Sequence, residues 1–322
     1  MPRRKAMSDE SLKNDLPALL QMVDKVYGID AVLSETGENL IKKYYDQSGP
    51  AYERLHSREG CMHLALNPDG VFSADGYRRQ PRAIVNEFRN NGGDRVLELG
   101  CGKGFNSVIV ARNLPEARVL GTDLLDDHVA KANAKAQAAN LANLRFEQAS
   151  FEPLPERYRD MDVIFGVETL CYAQDLDAVA QSVAAALRPG GRFVIFDVHS
   201  RMDPARMTPD MAKATLLYAK SMVVSRGFIR TGAWEAALTK AGLTVAPTAN
   251  LTRAAQPGLR RLQDRGLELL GDWKKRLAVK TLPKYLARNG ISALLGPLVY
   301  HLPQENLAGP LCYQRITATK PA

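Results

Sequence analysis

The chain has 322 residues, 45% of them hydrophobic, and a formal net charge of +8, a length that suits one large α/β domain with additions or two small domains. No run of about 18 apolar residues offers a membrane span, and Met1 to Lys5 leads into polar Ser8-Asp9-Glu10 rather than an apolar signal core, so a cytoplasmic protein is expected. Cys61, Cys101, Cys171 and Cys312 are scattered with no C-x-x-C pair, which argues for reduced thiols and against a zinc site or any other metal centre. Residues 1 to about 90 hold helical stretches, notably Leu16–Val26 and Gly37–Tyr45, and no strand alternation. The turn cluster Asn90-Asn91-Gly92-Gly93-Asp94 punctuates their end.

Val96-Leu97-Glu98-Leu99-Gly100-Cys101-Gly102-Lys103-Gly104 then reads as a buried strand running into a glycine loop. Its G-x-G-x-G spacing differs from the G-x-G-x-x-G that holds a dinucleotide pyrophosphate. A helix over Asn106–Leu114 and a strand over Ala117–Thr122 complete a βαβ unit. Asp123 follows roughly 20 residues after the glycines, where an acid suits a ribose diol. The same residue also suits an N-cap of the next helix.

That helix is expected from about Asp126 to Asn140, followed by strands at Leu144–Ala149 and Asp162–Val167, the second ending at Glu168. A helix at Leu176–Leu187 and the tight turn Arg188-Pro189-Gly190-Gly191 lead into a strand at Arg192–Asp197. Strands alternating with helices predict an α/β fold with a doubly wound, mostly parallel sheet. A helix-rich stretch over Pro204–Ser225, a helix over Gly232–Ala241, and strands at Leu243–Leu251 and Leu311–Thr319 close the pattern, with residues 254–310 inserted between the last two.

The insertion joins an apolar run, Leu294–Leu302, to Lys274, Lys275, Arg276, Lys280, Lys284 and Arg288. From Arg201 onward there are 19 Lys and Arg against 7 Asp and Glu, which is +12 and leaves the first 200 residues at −4. Such a region favours an anionic membrane surface, a lipid-like substrate or simply a solvated basic face. Without basic residues interleaved with exposed aromatics, nucleic acid ranks below them.

Glu98 to Gly104, Asp123 and Leu187-Arg-Pro-Gly-Gly-Arg-Phe193, in this order and spacing, resemble class I S-adenosylmethionine-dependent methyltransferases over about residues 90–200. Within them, Tyr44-Tyr45-Asp46, Tyr52-Glu53, Met62-His63-Leu64-Ala65 and Asp162 to Ala173 are similar to the sterol C-methyltransferases, which methylate the sterol tail, and to related lipid and isoprenoid enzymes. The resemblance implies a seven-stranded Rossmann-like sheet. It also implies a helical substrate cap over 1–90, a core over 91–253 and 311–322, and a helical lid or membrane-facing insertion over 254–310.

It further implies S-adenosylmethionine as cofactor. Glu98 would face the cofactor's ammonium, Gly100, Cys101, Gly102 and Gly104 its methionyl portion, Asp123 its ribose and Leu124 its adenine. Ser150 stands where many relatives carry an aspartate on the adenine amino group, with Phe151 and Gln148 beside it. Glu168 would lie where donor meets acceptor.

For an alkene acceptor, Tyr45, Tyr52 and Tyr172 are candidate cation-stabilising aromatics, and Glu168 and His63 candidate bases. For a hydroxyl or amine acceptor, His63 or His199 would take the proton. The residues leave C-, O- and N-methylation open. They also admit a cofactor- or lipid-binding relative without turnover.

Overall fold

Strand segments that are apolar on both faces need cover on both sides, and Val96 to Leu99 and Val163 to Val167 lie buried at the centre of a sheet in the computed structural model. The structure describes residues 9–37, 39–52, 56–57, 59–302 and 307–322. Helices α1 (Asp9–Lys13), α2 (Leu16–Tyr27), α3 (Ile29–Leu33), α4 (Leu40–Ala51) and α5 (Arg79–Asn91) precede the first strand. There follow β1 (Arg95–Leu99), α6 (Phe105–Asn113), β2 (Arg118–Asp123), α7 (Asp126–Ala138), β3 (Leu144–Gln148), β4 (Met161–Val167), α8 (Leu176–Ala186) and β5 (Leu187–Ser200). Next come α9 (Pro209–Ser221), α10 (Ala233–Lys240), β6 (Thr244–Val245), β7 (Ala249–Asn250), α11 (Thr252–Leu270), α12 (Trp273–Val279) and α13 (Lys284–Tyr300). The hairpin β8 (His301–Leu302) and β9 (Leu307–Ala308) leads to β10 (Leu311–Thr319).

The sheet order is β3-β2-β1-β4-β5-β10-β6, with β7 also on β10, so eight strands are present among the described residues. β1 runs parallel to β2 and β4, β2 to β3, and β4 to β5, while β6 and β7 lie antiparallel on β10. The single strand expected over Leu243–Leu251 is split in two around Pro247, which has no N–H to give to a ladder. β5 begins earlier than the sequence suggests. Leu187 already pairs with Met161, and Arg188 to Gly191 form an irregularity before Arg192 pairs with Val163.

The chain divides into two compact units, a sheet unit of residues 52–199, 229–255 and 313–322 and a helical unit of residues 1–51, 200–228 and 256–312. Residues 52–90 thus belong with the sheet, and 200–228 with the helices. The amphipathic helix α5 explains the first difference, since it buries Ile84, Val85 and Phe88 and packs on β4 and α6. In the helical unit, α2 is capped by Asp15, whose Oδ1 accepts from Ala18 N–H at 3.0 Å, and buries Leu16, Leu19, Leu20, Val23 and Val26 along one stripe. α13 packs on α9 and α4.

Asp162 fixes the entry to the central strands. Its Oδ2 accepts from the N–H groups of Asp94 and Arg95, both at 2.8 Å, and its Oδ1 meets Arg188 Nε. An Asp162→Ala variant leaves those donors without their acceptor. It is expected to lose about 2–4 kcal/mol of stability in denaturant titration, with the far-UV spectrum of the folded state retained.

Candidate functional site

The order of strands reverses between β1 and β4, so the loops leaving their carboxyl ends diverge and open the crevice where such sheets bind ligands. The glycine loop leaves β1 at this point. Gly100, Gly102 and Gly104 have φ of 60°, 52° and 79°, a region that side chains rarely adopt. Space forbids substitution too. A Cβ on Gly100 would run into the Thr169 hydroxyl, one on Gly102 into the Met62 methyl, and one on Gly104 would come within 2.6 Å of the Phe146 ring. Buried Cys101 donates its N–H to Thr122 O at 2.8 Å, fastening the loop to β2.

Asp123 ends β2 and joins two loops. Its Oδ2 accepts from Gly102 N–H at 2.8 Å and its Oδ1 from Leu125 N–H at 3.0 Å, one residue before α7, with His128 Nδ1 3.4 Å away. The carboxylate therefore steadies both the glycine loop and the helix start. Leu124 beside it is 56% exposed. Gln148 Nε2 donates to Leu124 O at 3.0 Å. Ser150 is exposed and its hydroxyl is tied to Glu152, accepting from that N–H at 2.9 Å and donating to that carbonyl at 3.1 Å. Half-buried Phe151 packs on the core beneath.

Glu98, at 1% exposure, bridges the strand to α6: Oε1 accepts from Asn106 Nδ2 at 3.0 Å, and Oε2 from Ser107 N–H at 3.1 Å and the Ser107 hydroxyl at 2.5 Å. Burial pushes its carboxyl up to about 7 against the pull of these donors. Asn106 in turn meets His63, whose Nε2 lies 2.9 Å from Asn106 Oδ1 and whose Nδ1 lies 3.1 Å from Leu64 O. Both ring nitrogens are thus engaged, and burial holds the His63 pKa below its ordinary value.

Glu168 follows β4 with φ of +51°, a strained conformation for a residue with a side chain. Its N–H donates to Phe196 O at 2.8 Å, and its Oε1 accepts from Leu64 N–H at 2.7 Å, while the Tyr313 hydroxyl also donates to the carboxylate. Gln80, fully buried, donates from Nε2 to Leu64 O at 2.7 Å and to the Tyr313 oxygen at 3.4 Å. On β5, Asp197 accepts from Cys171 N–H at 2.9 Å and Val198 N–H at 2.8 Å. Burial pushes Asp197 to about 7 and Glu168 to about 8, the negative charge of Asp197 adding to the rise at Glu168.

Sequence reasoning did not single out Gln80, Tyr313 or Asp197 as site residues. Asp197 carried the same sign as Asp123 and Glu168, an acid at the end of an apolar strand. Gln80 carried another, a polar residue in line with Ile84 and Phe88 on the buried face of α5.

Among the remaining candidates, Tyr172 is half-buried in the turn after Leu170, and Tyr52 lies edge-on to His56 at 5.5 Å. Tyr45 belongs to the helical unit, edge-on to Tyr44 at 5.0 Å. His199 is buried, and its pKa is lowered by that burial to about 4. Glu53 lies outside the described residues.

Four acids, Glu98, Asp123, Glu168 and Asp197, therefore lie toward the carboxyl ends of four neighbouring strands, around a glycine-rich loop. That donor set fits a ligand carrying a diol and cationic groups, as S-adenosylmethionine does. The raised carboxyls also set the pH dependence of the ligand-free protein. Glu98, Glu168 and Asp197 ionise near their ordinary values of 4.5, 4.5 and 3.8 when unfolded and near 7 to 8 when folded, so the folded protein holds more protons and stability falls as pH rises through that window. His63 and His199 act in the opposite sense, but only below their ordinary 6.5. The melting temperature of ligand-free protein is therefore expected to fall from pH 6.5 to about pH 9. A flat or rising profile across that range would contradict the burial of these acids.

A family described as a methyltransferase domain matches residues 90–242. A curated S-adenosyl-L-methionine-dependent Diels–Alderase of Talaromyces variabilis is 30% identical over 176 residues, 52% of this chain and 59% of that protein. A fatty-acid O-methyltransferase of Mycolicibacterium smegmatis is 31% identical over 138 residues, 43% of this chain and 49% of that protein. The protein thus spans between half and three fifths of the length of these two relatives. The crystal structure of the 4+2 cyclase SpnF superposes with a TM-score of 0.62 at 20% identity, covering 86% of this chain and 94% of that one, a likeness of fold. With the glycine loop, Asp123 and the doubly wound sheet in place, residues 90–242 carry a methyltransferase domain of the class I S-adenosylmethionine-dependent kind.

Proposed function

We propose that the protein transfers the methyl group of S-adenosylmethionine to a small apolar acceptor of the lipid, isoprenoid or polyketide kind. The observation that carries this reading is Glu168, a strained, partly exposed carboxylate at the switch point of the sheet, one loop away from the glycine cradle. The bound cofactor supplies an electrophilic methyl on a sulfonium. Glu98, Gly100, Cys101, Gly102 and Gly104 hold its amino-acid end, Asp123 its ribose, and Leu124, Ser150 and Phe151 its adenine. Positioning the acceptor is the larger part of catalysis.

Burial favours the protonated forms of Glu168 and Asp197 in the ligand-free site. A cation bound nearby favours their ionised forms, which readies the Glu168 carboxylate to take a proton from the acceptor. His63 fixes Asn106 and through it Glu98. Tyr52 and Tyr172 are the aromatic faces for a developing cation in C-methylation. Cofactor binding at pH 7 is expected to release protons, seen as a calorimetric heat that varies with the buffer's ionisation enthalpy. A heat independent of buffer would remove the carboxylates from the cofactor's surroundings.

A second reading is favoured by the Diels–Alderase and the cyclase: the protein would bind the cofactor and fold an acceptor into a ring without transferring methyl. Mass spectrometry after incubating the protein and cofactor with fatty acids, isoprenoids and polyketides separates the two. A product heavier by one CH2, a methyl in place of a hydrogen lost as a proton, supports transfer, and an isomer of unchanged mass supports cyclisation.

A further inference from the structure

The segment α12 and the turn after it carries the one dense apolar exposure among the described residues of the helical unit. Six large apolar side chains stand exposed among the described residues, and three of them, Trp273 (64%), Leu277 (61%) and Leu282 (42%), lie within ten positions. Trp273 and Leu277 share a face of α12 at a spacing of four, while Val279 turns inward and is 2% exposed. Lysines frame that outer face. Lys274, Lys275 and Lys280 are exposed, and Lys274 Nζ stands 5.7 Å from the Trp273 ring centre.

Glu35 pairs with Lys284 and Arg288, and no acid lies in the segment itself to offset Lys274, Lys275 and Lys280. Residues 273–304 contain six Lys and Arg and no Asp or Glu, and Asp272 is committed to capping the helix through the N–H groups of Lys274 and Lys275. Among the described residues no helix is long and apolar enough to cross a membrane.

We infer that α12 and the following turn form a docking face for an anionic lipid surface, Trp273, Leu277 and Leu282 entering the headgroup layer and the lysines meeting lipid phosphates. A tryptophan beside leucines and lysines on a short helix suits that boundary, where the ring has an apolar body and a polar edge. A second copy of this protein is a poorer occupant, because a symmetric contact would set the same uncompensated lysines against one another. Such a face brings the protein to the phase in which apolar acceptors dissolve.

The test uses the full-length protein and vesicles of phosphatidylcholine alone or mixed with phosphatidylserine, in flotation and in tryptophan fluorescence. Trp234 is fully buried, so a shift of emission reports on Trp273. Flotation with the anionic vesicles, a blue shift and release by salt are expected. Lys274→Gln with Lys275→Gln should weaken binding about twenty-five-fold, at roughly fivefold per lysine. Trp273→Ser with Leu277→Ser removes the fluorescent reporter and should reduce flotation. All variants should keep the wild-type circular dichroism spectrum, since these side chains are exposed. Absence of wild-type binding, equal binding to neutral vesicles, or variants that bind as wild type would overturn the inference. So would a solution dimer that the Trp273 and Leu277 changes dissolve. The assay needs neither cofactor nor acceptor, so a wrong reading of the reaction would leave its result unchanged.

Discussion

Replacing Glu168 with glutamine is expected to lower kcat by a factor of about 10² to 10⁴, the range by which a positioned acid or base contributes. The amide keeps an oxygen for Leu64 N–H, whose bond to Oε1 is 2.7 Å, so the turn after β4 should hold its shape. Only the charge and the basic oxygen are removed. Cofactor affinity should therefore move by at most about 10²-fold, the worth of one charge-assisted contact of about 1.5–3 kcal/mol. The pH profile gives an independent sign. In the wild type, activity rises with pH as a group near 8 loses its proton, and that limb should vanish in the variant. A variant that keeps turnover near the wild-type level would leave Glu168 as a structural residue of the crevice. Tyr313→Phe removes one donor to the carboxylate and is expected to move the same limb to higher pH.

The second large effect is on binding. An Asp123→Ala change takes away the acceptor of Gly102 N–H and Leu125 N–H and, in the proposed complex, of the ribose hydroxyls. Hydrogen bonds to a charged group contribute about 1.5–3 kcal/mol each, so losing two from the ribose predicts a rise in cofactor Kd of about 10²-fold or more. Thermal unfolding measured without ligand shows how much of that loss comes from a loosened loop. Asp123→Asn keeps one acceptor and should fall between the two. If Asp123→Ala binds cofactor as the wild type does, the ribose lies elsewhere.

The parts of this molecule legible in its sequence are those that repeat a local rule. β1 and β4 are short apolar runs bounded by glycines or an acid, and their order, with α6 between glycine loop and Asp123 and α7 after it, admits one topology. The acids at strand ends stood out because an apolar neighbourhood makes a carboxylate expensive to bury. Other features depend on distant partners. Gln80 and Tyr313 are 233 positions apart and matter because they meet beside Leu64 and Glu168, a meeting that no spacing records. The split of the sixth strand was written in Pro247, yet the flanking residues read as one run. The assignment of residues 52–90 to the sheet was hidden because their packing is made by α5, whose stripe says that a face is buried and not against what.

The acceptor side was the least legible. Tyr45 and Tyr52 sit in different units, and nothing local in their motif distinguishes them. His63 looked like a free base from its type, whereas both its nitrogens are occupied by Leu64 O and Asn106 Oδ1. That geometry favours a role in holding Asn106 and Glu98 over a role in proton abstraction.

Incubation of the purified protein with S-adenosylmethionine labelled in its methyl group and a fractionated cell extract tests the central claim most directly. Label in the organic-soluble fraction, lost in Glu168→Gln and Asp123→Ala, is the predicted result. Label confined to RNA or protein, or no transfer to any fraction despite cofactor binding, would contradict it.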